Sequence, residues 1–152
     1  MSVIARLIGV FVLVLAVSAA QAQNRVPSER ALEALVKTSL LSFNDANVTG
    51  NYSVFHAKLS GPFRQQFSTE RLKETFKDFS EKHIDFDVIA AYQAVYSPAP
   101  SIDSDGKLLA KGYFPTEPVR INFELDFIPS DGDWKLIRIH VKLDSPPGSS
   151  DK

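Results

Sequence analysis

The stretch from Val119 to Leu143 constrains this chain more than any other. Val119, Ile121, Phe123, Leu125 and Phe127 alternate with Arg120, Asn122, Glu124 and Asp126. Strict period two sets one face of a strand against a core and the other in water. After Pro129-Ser130-Asp131-Gly132-Asp133, a second run carries Ile137, Ile139, Val141 and Leu143 on one face and Arg138, His140 and Lys142 on the other. Asp131-Gly132 tolerates positive φ, so the two runs read as a hairpin. Helices elsewhere in the chain must cover its apolar side.

Those helices are legible upstream. Ser28 is placed to cap a helix, with Glu29 at the positive end of its dipole. Leu32, Leu35, Val36, Ser39, Leu40 and Phe43 follow helical spacing, which predicts an amphipathic helix ending near Asn47, with Gly50 supplying a left-handed turn. Tyr52, Phe55, His56 and Leu59 lie at i, i+3, i+4 and i+7 and predict a second, short helix, stopped by Ser60-Gly61-Pro62. Phe63 and Phe67 sit one turn apart. Ser68 caps a third helix, whose apolar stripe is Leu72, Phe76 and Phe79.

At Ile84 the period switches. Ile84, Phe86, Val88 and Ala90 alternate with Asp85, Asp87 and Ile89, which predicts a strand continuing through Ala91 to Tyr96. Pro98-Ala99-Pro100 ends it, and Asp105-Gly106 marks a turn. Leu108, Ala110, Gly112 and Phe114 form the next strand, and Pro115 and Pro118 bracket a bend before the hairpin. The expected fold class is α+β: three N-terminal helical segments packed on one face of a curved, mostly antiparallel four-stranded sheet.

Composition matters mainly at the ends. Arg6, an apolar run from Leu7 to Val17 and Ala20-Gln21-Ala22 read as a secretory signal peptide over residues 1–22, cleaved after Ala22. The run is short for a bilayer, whose core needs about 20 apolar residues. Residues 23–27 form a polar leader expected to be mobile, 28–143 the domain, and 144–152 a polar tail expected to be disordered. Export makes the expected location periplasmic or secreted. The chain has no cysteine, so neither a lipid-modified cysteine nor a disulfide can hold it. With 17 Lys+Arg against 18 Asp+Glu, nothing in the charge balance calls for nucleic acid or an anionic membrane surface.

The element order, the long helix over 31–47, Phe-Arg-Gln-Gln-Phe at 63–67, Leu72–Phe79, and the last strand's opening Gly132-Asp133-Trp134-Lys135 together resemble the nuclear transport factor two-like superfamily. Its cone-shaped fold is shared by ketosteroid isomerase and polyketide cyclases. The resemblance covers 28–143. It implies a bent sheet wrapping the first helix, with a cavity between them. A cystatin-like helix on a sheet is the competing arrangement, which three helical segments fit less well.

The resemblance also implies what an active site would need, a carboxylate base and a tyrosine or protonated acid in an apolar cavity. Asp45, Asp85, Asp87, Tyr52, Tyr92, Tyr96 and Tyr113 are the candidates. Asp85 and Asp87 lie opposite the apolar side of their strand, which points them to water, and Asn44-Asp45-Ala46-Asn47 reads as a helix end. Tyr52 and His56, one turn apart, are placed to share a cavity with Phe43, Tyr92 and Phe123, and these five form the expected ligand-binding set. No position matches a catalytic motif, so the catalytic set is empty.

His56, His83 and His140 have no metal-ligand spacing, and Asp103-Ser104-Asp105-Gly106 reads as a hairpin turn rather than a calcium loop, because Phe114 stands where a bidentate Glu is needed. No P-loop, dinucleotide fingerprint or nucleophile elbow occurs, so no metal and no cofactor is expected. The charged face Arg120 to Asp126 with Arg138, His140 and Lys142 disfavours a large hydrophobic dimer, leaving a monomer or weak polar dimer. The functional expectation is a non-enzymatic domain binding a small apolar ligand. A cofactor-free isomerase or cyclase and an envelope interaction module are the alternatives.

Overall fold

The computed structural model describes residues 24–144. The expected signal peptide with its cleavage after Ala22, and the tail beyond Asp144, lie outside the described residues. The described residues run through five α-helices into a sheet. The first helix, α1, spans Glu29–Thr49, longer than expected by about one residue pair at each end, within the ordinary fraying of helix boundaries. Ser28 caps it, its hydroxyl accepting from the Ala31 N–H at 3.3 Å. Gly50 closes it in the left-handed region at φ 73°, its N–H bonded to Ala46 O.

Four short helices follow: α2 (Ser53–Lys58), α3 (Gly61–Gln66), α4 (Thr69–Thr75) and α5 (Lys77–Glu81). The expected three segments are therefore five. Ser60-Gly61-Pro62 does not end helical structure; it starts α3, with Pro62 in the first turn, where its missing N–H has no partner to lose. Ser68 caps α4 as expected, accepting from the Arg71 N–H at 3.2 Å.

Residues 84–91 overturn an expectation. No strand forms there; Asp87–Ala91 is a 3₁₀ helix. Phe86 and Ile89, three residues apart, are the buried pair, while Val88 is 44% exposed. The cause is a side chain from α1. Buried Asn44 accepts from the Phe86 N–H at 2.9 Å and donates to Asp85 at 2.7 Å, and Asp85 in turn accepts from the Asp87 N–H. Backbone groups satisfied this way are not free for a ladder.

The strand missing at 84–90 is replaced downstream. β1 (Val95–Tyr96) and β2 (Ser101–Ile102) both pair antiparallel with β3 (Leu108–Phe114). They form one edge strand interrupted by Pro98-Ala99-Pro100, whose prolines offer no N–H to the ladder. β4 (Arg120–Ser130) and β5 (Asp133–Asp144) complete the order β1-β3-β4-β5, with β2 also on β3. All pairings between these strands are antiparallel, and the sheet is open. Asp131 and Gly132 take φ 54° and 85° at the hairpin tip, as the Asp-Gly dipeptide demands.

The core lies between α1 and the sheet. Val36, Leu40 and Phe43 meet Leu108, Phe114, Phe123, Leu125 and Phe127, all fully buried. On β5 the expected apolar row is only half buried. The pairing shifts between Asp126 and Phe127, leaving Ile137 as an extra residue, so Leu136 is the buried side chain. Ile137, Ile139, Val141 and Leu143 pack against the core without being sealed in, because β5 is the sheet edge and the short helices cover only part of it.

Candidate functional site

Where the short helices meet β5, the cover is incomplete and a groove of about 310 Å³ opens. Phe63 and Phe67, Leu72 and Phe76, and Ile137 and Ile139 give it apolar walls, and Gln66, Thr75 and Arg138 add polar atoms. The local sequence explains the geometry. Phe63 and Phe67 are one helical turn apart and meet edge-on at 5.3 Å. Phe76 sits between α4 and α5 and reaches the core through Phe43, 4.8 Å away. The bulge at Ile137 brings that side chain to the same wall.

His56 braces this wall. Its Nε2 lies 2.9 Å from Phe67 O. A carbonyl only accepts, so Nε2 carries the hydrogen and donates. The imidazole thus fixes the chain where α3 gives way to α4.

The other expected ligand-binding residues lie elsewhere. Phe43 is 1% exposed, with the rings of Phe55, Phe76, Phe79 and Phe86 at 4.8–6.3 Å. Phe123 is equally buried, beside Phe114 and Tyr96. Tyr52 is buried, and its hydroxyl donates to Asn47 Oδ1, while Asn47 Nδ2 donates to Phe43 O at 2.9 Å. Burial pushes the Tyr52 phenol up to about 12. Tyr92 is half-buried behind the 3₁₀ helix. Between α1 and the middle of the sheet, where the resemblance implies a cavity, the buried rings of Phe43, Phe114 and Phe123 fill the space, and a cleft of about 390 Å³ stays open between Ala31, Leu35 and Ser39 of α1 and Trp134 and Leu136 at the start of β5. None of the five lines the groove; His56 and Phe43 stand behind its wall, the first through Phe67 and the second through Phe76.

The acid candidates are outside it as well. Asp45, Asp85 and Asp87 are all exposed, Asp85 just before and Asp87 at the start of the 3₁₀ helix rather than on the outer face of a strand. Asp103 caps a tight turn, accepting from the Asp105 and Lys107 N–H groups at 2.9 and 2.8 Å. Among the described residues, no three His, Cys, Asp or Glu side chains gather as a metal would require.

Two arrangements went unread in the sequence. The groove itself is one; the Phe63–Phe67 spacing was its only trace. Glu33 is the other. Its carboxylate accepts from the Ala94 N–H at 3.1 Å and the Tyr96 hydroxyl at 3.2 Å, and pairs with Lys37 at 3.4 Å. Burial, then the Glu33 charge, raises the Tyr96 phenol well above its ordinary range. This set ties α1 to β1. Its sequence signal, Glu33 and Lys37 at i, i+4, is common to many helices.

The convex sheet face is a charge lattice. Arg138 bonds Asp126 at 2.8 Å and Glu124 at 3.1 Å, and Lys111 meets Glu124 at 2.8 Å. Hydrogen bonds from Lys111 and Arg138 hold the Glu124 carboxyl below its ordinary value. Arg120 lies 4.3 Å over the Tyr113 ring. These are the cross-strand pairs that the alternation expects.

Comparison of the chain with protein-family models, curated proteins and solved structures finds no match. Its function is therefore read from its own geometry.

Proposed function

We propose that this chain is an exported binding domain of the nuclear transport factor two-like kind, whose ligand is apolar and lies in the groove between α3, α4 and β5. The observation that carries the reading is that groove, with three phenylalanines and two isoleucines around it on the concave side of the sheet. Apolar surface left open on a folded domain marks a place where something binds. Each buried CH₂ of a ligand would gain about 0.8 kcal/mol there, so an alkyl chain or aromatic ring suits it.

An isomerase-like reading is less well supported. It asks for a carboxylate and a phenol aimed into an apolar void. Asp45 is exposed, Tyr52 is committed to Asn47, and the Glu33 carboxylate is already held by Ala94, Tyr96 and Lys37.

The test uses dodecanoate and the dye 1-anilinonaphthalene-8-sulfonate. Ile139→Glu places a charge on the groove wall, and desolvating it opposes an apolar guest. Affinity for both probes is expected to fall tenfold or more with an unchanged far-ultraviolet circular dichroism spectrum. Equal binding by the variant, or no binding by the parent, overturns the reading. Export carries its own check. Expression in a secreting host is expected to yield a protein whose N-terminus is Gln23, and an intact Met1 on the exported chain would contradict it.

A further inference from the structure

Beside the groove, the outer edge of β5 is open. β5 ends the strand order and bonds β4 along its inner edge from Asp133 to Asp144. Among the described residues its outer edge takes one backbone bond, from the Ser60 N–H to Leu136 O at 2.9 Å, next to an isolated parallel bridge between Leu59 and Leu136. From Ile137 onward that edge offers alternate N–H and C=O groups without a backbone partner. Its two sides differ in chemistry. Ile139, Val141 and Leu143 continue the apolar groove on the concave side, and Arg138, His140 and Lys142 stand exposed on the convex side.

We propose that an extended segment of another polypeptide, with apolar and acidic residues in alternation, adds to β5 as a further strand. The proposal rests on the groove being the binding site and names what fills it. Donors and acceptors repeating along an edge at strand spacing match a peptide backbone, which a lone alkyl chain cannot satisfy. The apolar side chains of such a segment fall beside Ile139 and Val141 and lead into the groove. Its acidic side chains face the cationic row, whose own carboxylate partners, Glu124 and Asp126, lie on the inner side, with Asp144 at the end.

The same row argues against a second copy of this chain. Two β5 strands paired antiparallel about a two-fold axis set like charges opposite each other, Arg138 to Lys142 in one register. The register that joins Arg138 to Asp144 sets Lys142 against His140, which offers no carboxylate to pair with it. Like charges directly opposite destabilise a strand pair, and cationic edges are a known guard against self-pairing. An acidic strand turns that guard into a selection for its partner.

The experiment measures binding of ten-residue peptides to the purified protein by fluorescence anisotropy, with amide hydrogen exchange read along β5. One peptide alternates valine with glutamate, a second replaces glutamate by lysine, and a third repeats the first with every other amide N-methylated. The glutamate peptide is expected to bind and to protect amides between Ile137 and Asp144. The lysine peptide is expected to bind at least tenfold more weakly, and the N-methylated one not measurably. The double variant His140→Glu with Lys142→Glu is expected to reverse the preference. Equal binding of the N-methylated peptide, indifference to charge, or protection of β5 by self-association overturns the proposal. If dodecanoate still binds while no peptide does, the strand proposal fails and the groove reading survives; if neither binds, both fail.

Discussion

Phe43→Ala is expected to cost roughly 3–5 kcal/mol, the range for deleting a buried aromatic ring. The residue sits where three parts of the chain meet. Its ring is 5.4 Å from Phe55 of α2, 4.8 and 5.2 Å from Phe76 and Phe79 of the α4–α5 region, and 6.3 Å from Phe86 before the 3₁₀ helix. Removing it leaves a void that α1, fixed at both ends by its caps, cannot close by moving. Against a total stability of about 5–15 kcal/mol, a loss of this size leaves a marginal fold. Urea unfolding followed by circular dichroism would measure it. A loss below that of an exposed substitution such as Val54→Ala would mean that the rings do not pack as described. Phe76 shares this cluster with the groove wall, so the same variant should also loosen the groove.

Gly112→Ala is the second large effect, and its cause is the backbone. A β-carbon at Gly112 would stand 2.1 Å from Val95 O and 2.9 Å from Val95 C. Neither is the tip of a side chain that could rotate away, so β1 itself must move. Overpacking of this kind costs typically about 1–3 kcal/mol. The loss should be concentrated at the interrupted edge strand. The Ser97 N–H, bonded to Lys111 O at 2.9 Å, is expected to lose its exchange protection first, and the Tyr96–Glu33 bond to go with it. Unchanged exchange at Ser97 together with unchanged stability would rule out the close crossing. By contrast, a β-carbon at Gly106 meets nothing within 4 Å, so any cost there comes from its φ of 79° alone.

How far these features were legible depends on how local their causes are. The hairpin was readable because its period runs unbroken for five apolar residues and its tip carries Asp-Gly. The caps at Ser28, Gly50 and Ser68 were readable because a cap acts within a few residues of itself. Residues 84–90 were misread. Ile84, Phe86 and Val88 fit a strand, Phe86 and Ile89 fit a 3₁₀ turn, and the deciding group, Asn44, lies about forty positions earlier. Leu136 was not read as a core residue for a similar reason, since the bulge that turns it inward depends on the partner strand as well as on its own.

The sequence by itself determined the helices-then-sheet order, the absence of any disulfide and the two-sided chemistry of the hairpin. Each is a matter of residue type and short-range period. Only the tertiary structure decided that phenylalanine rings fill the middle of the space under α1 and that the most apolar-walled opening lies at the edge of β5. Which apolar surfaces find partners depends on how far each helix reaches across the sheet. Every half-buried residue on β5 looks, in sequence, the same as a buried one.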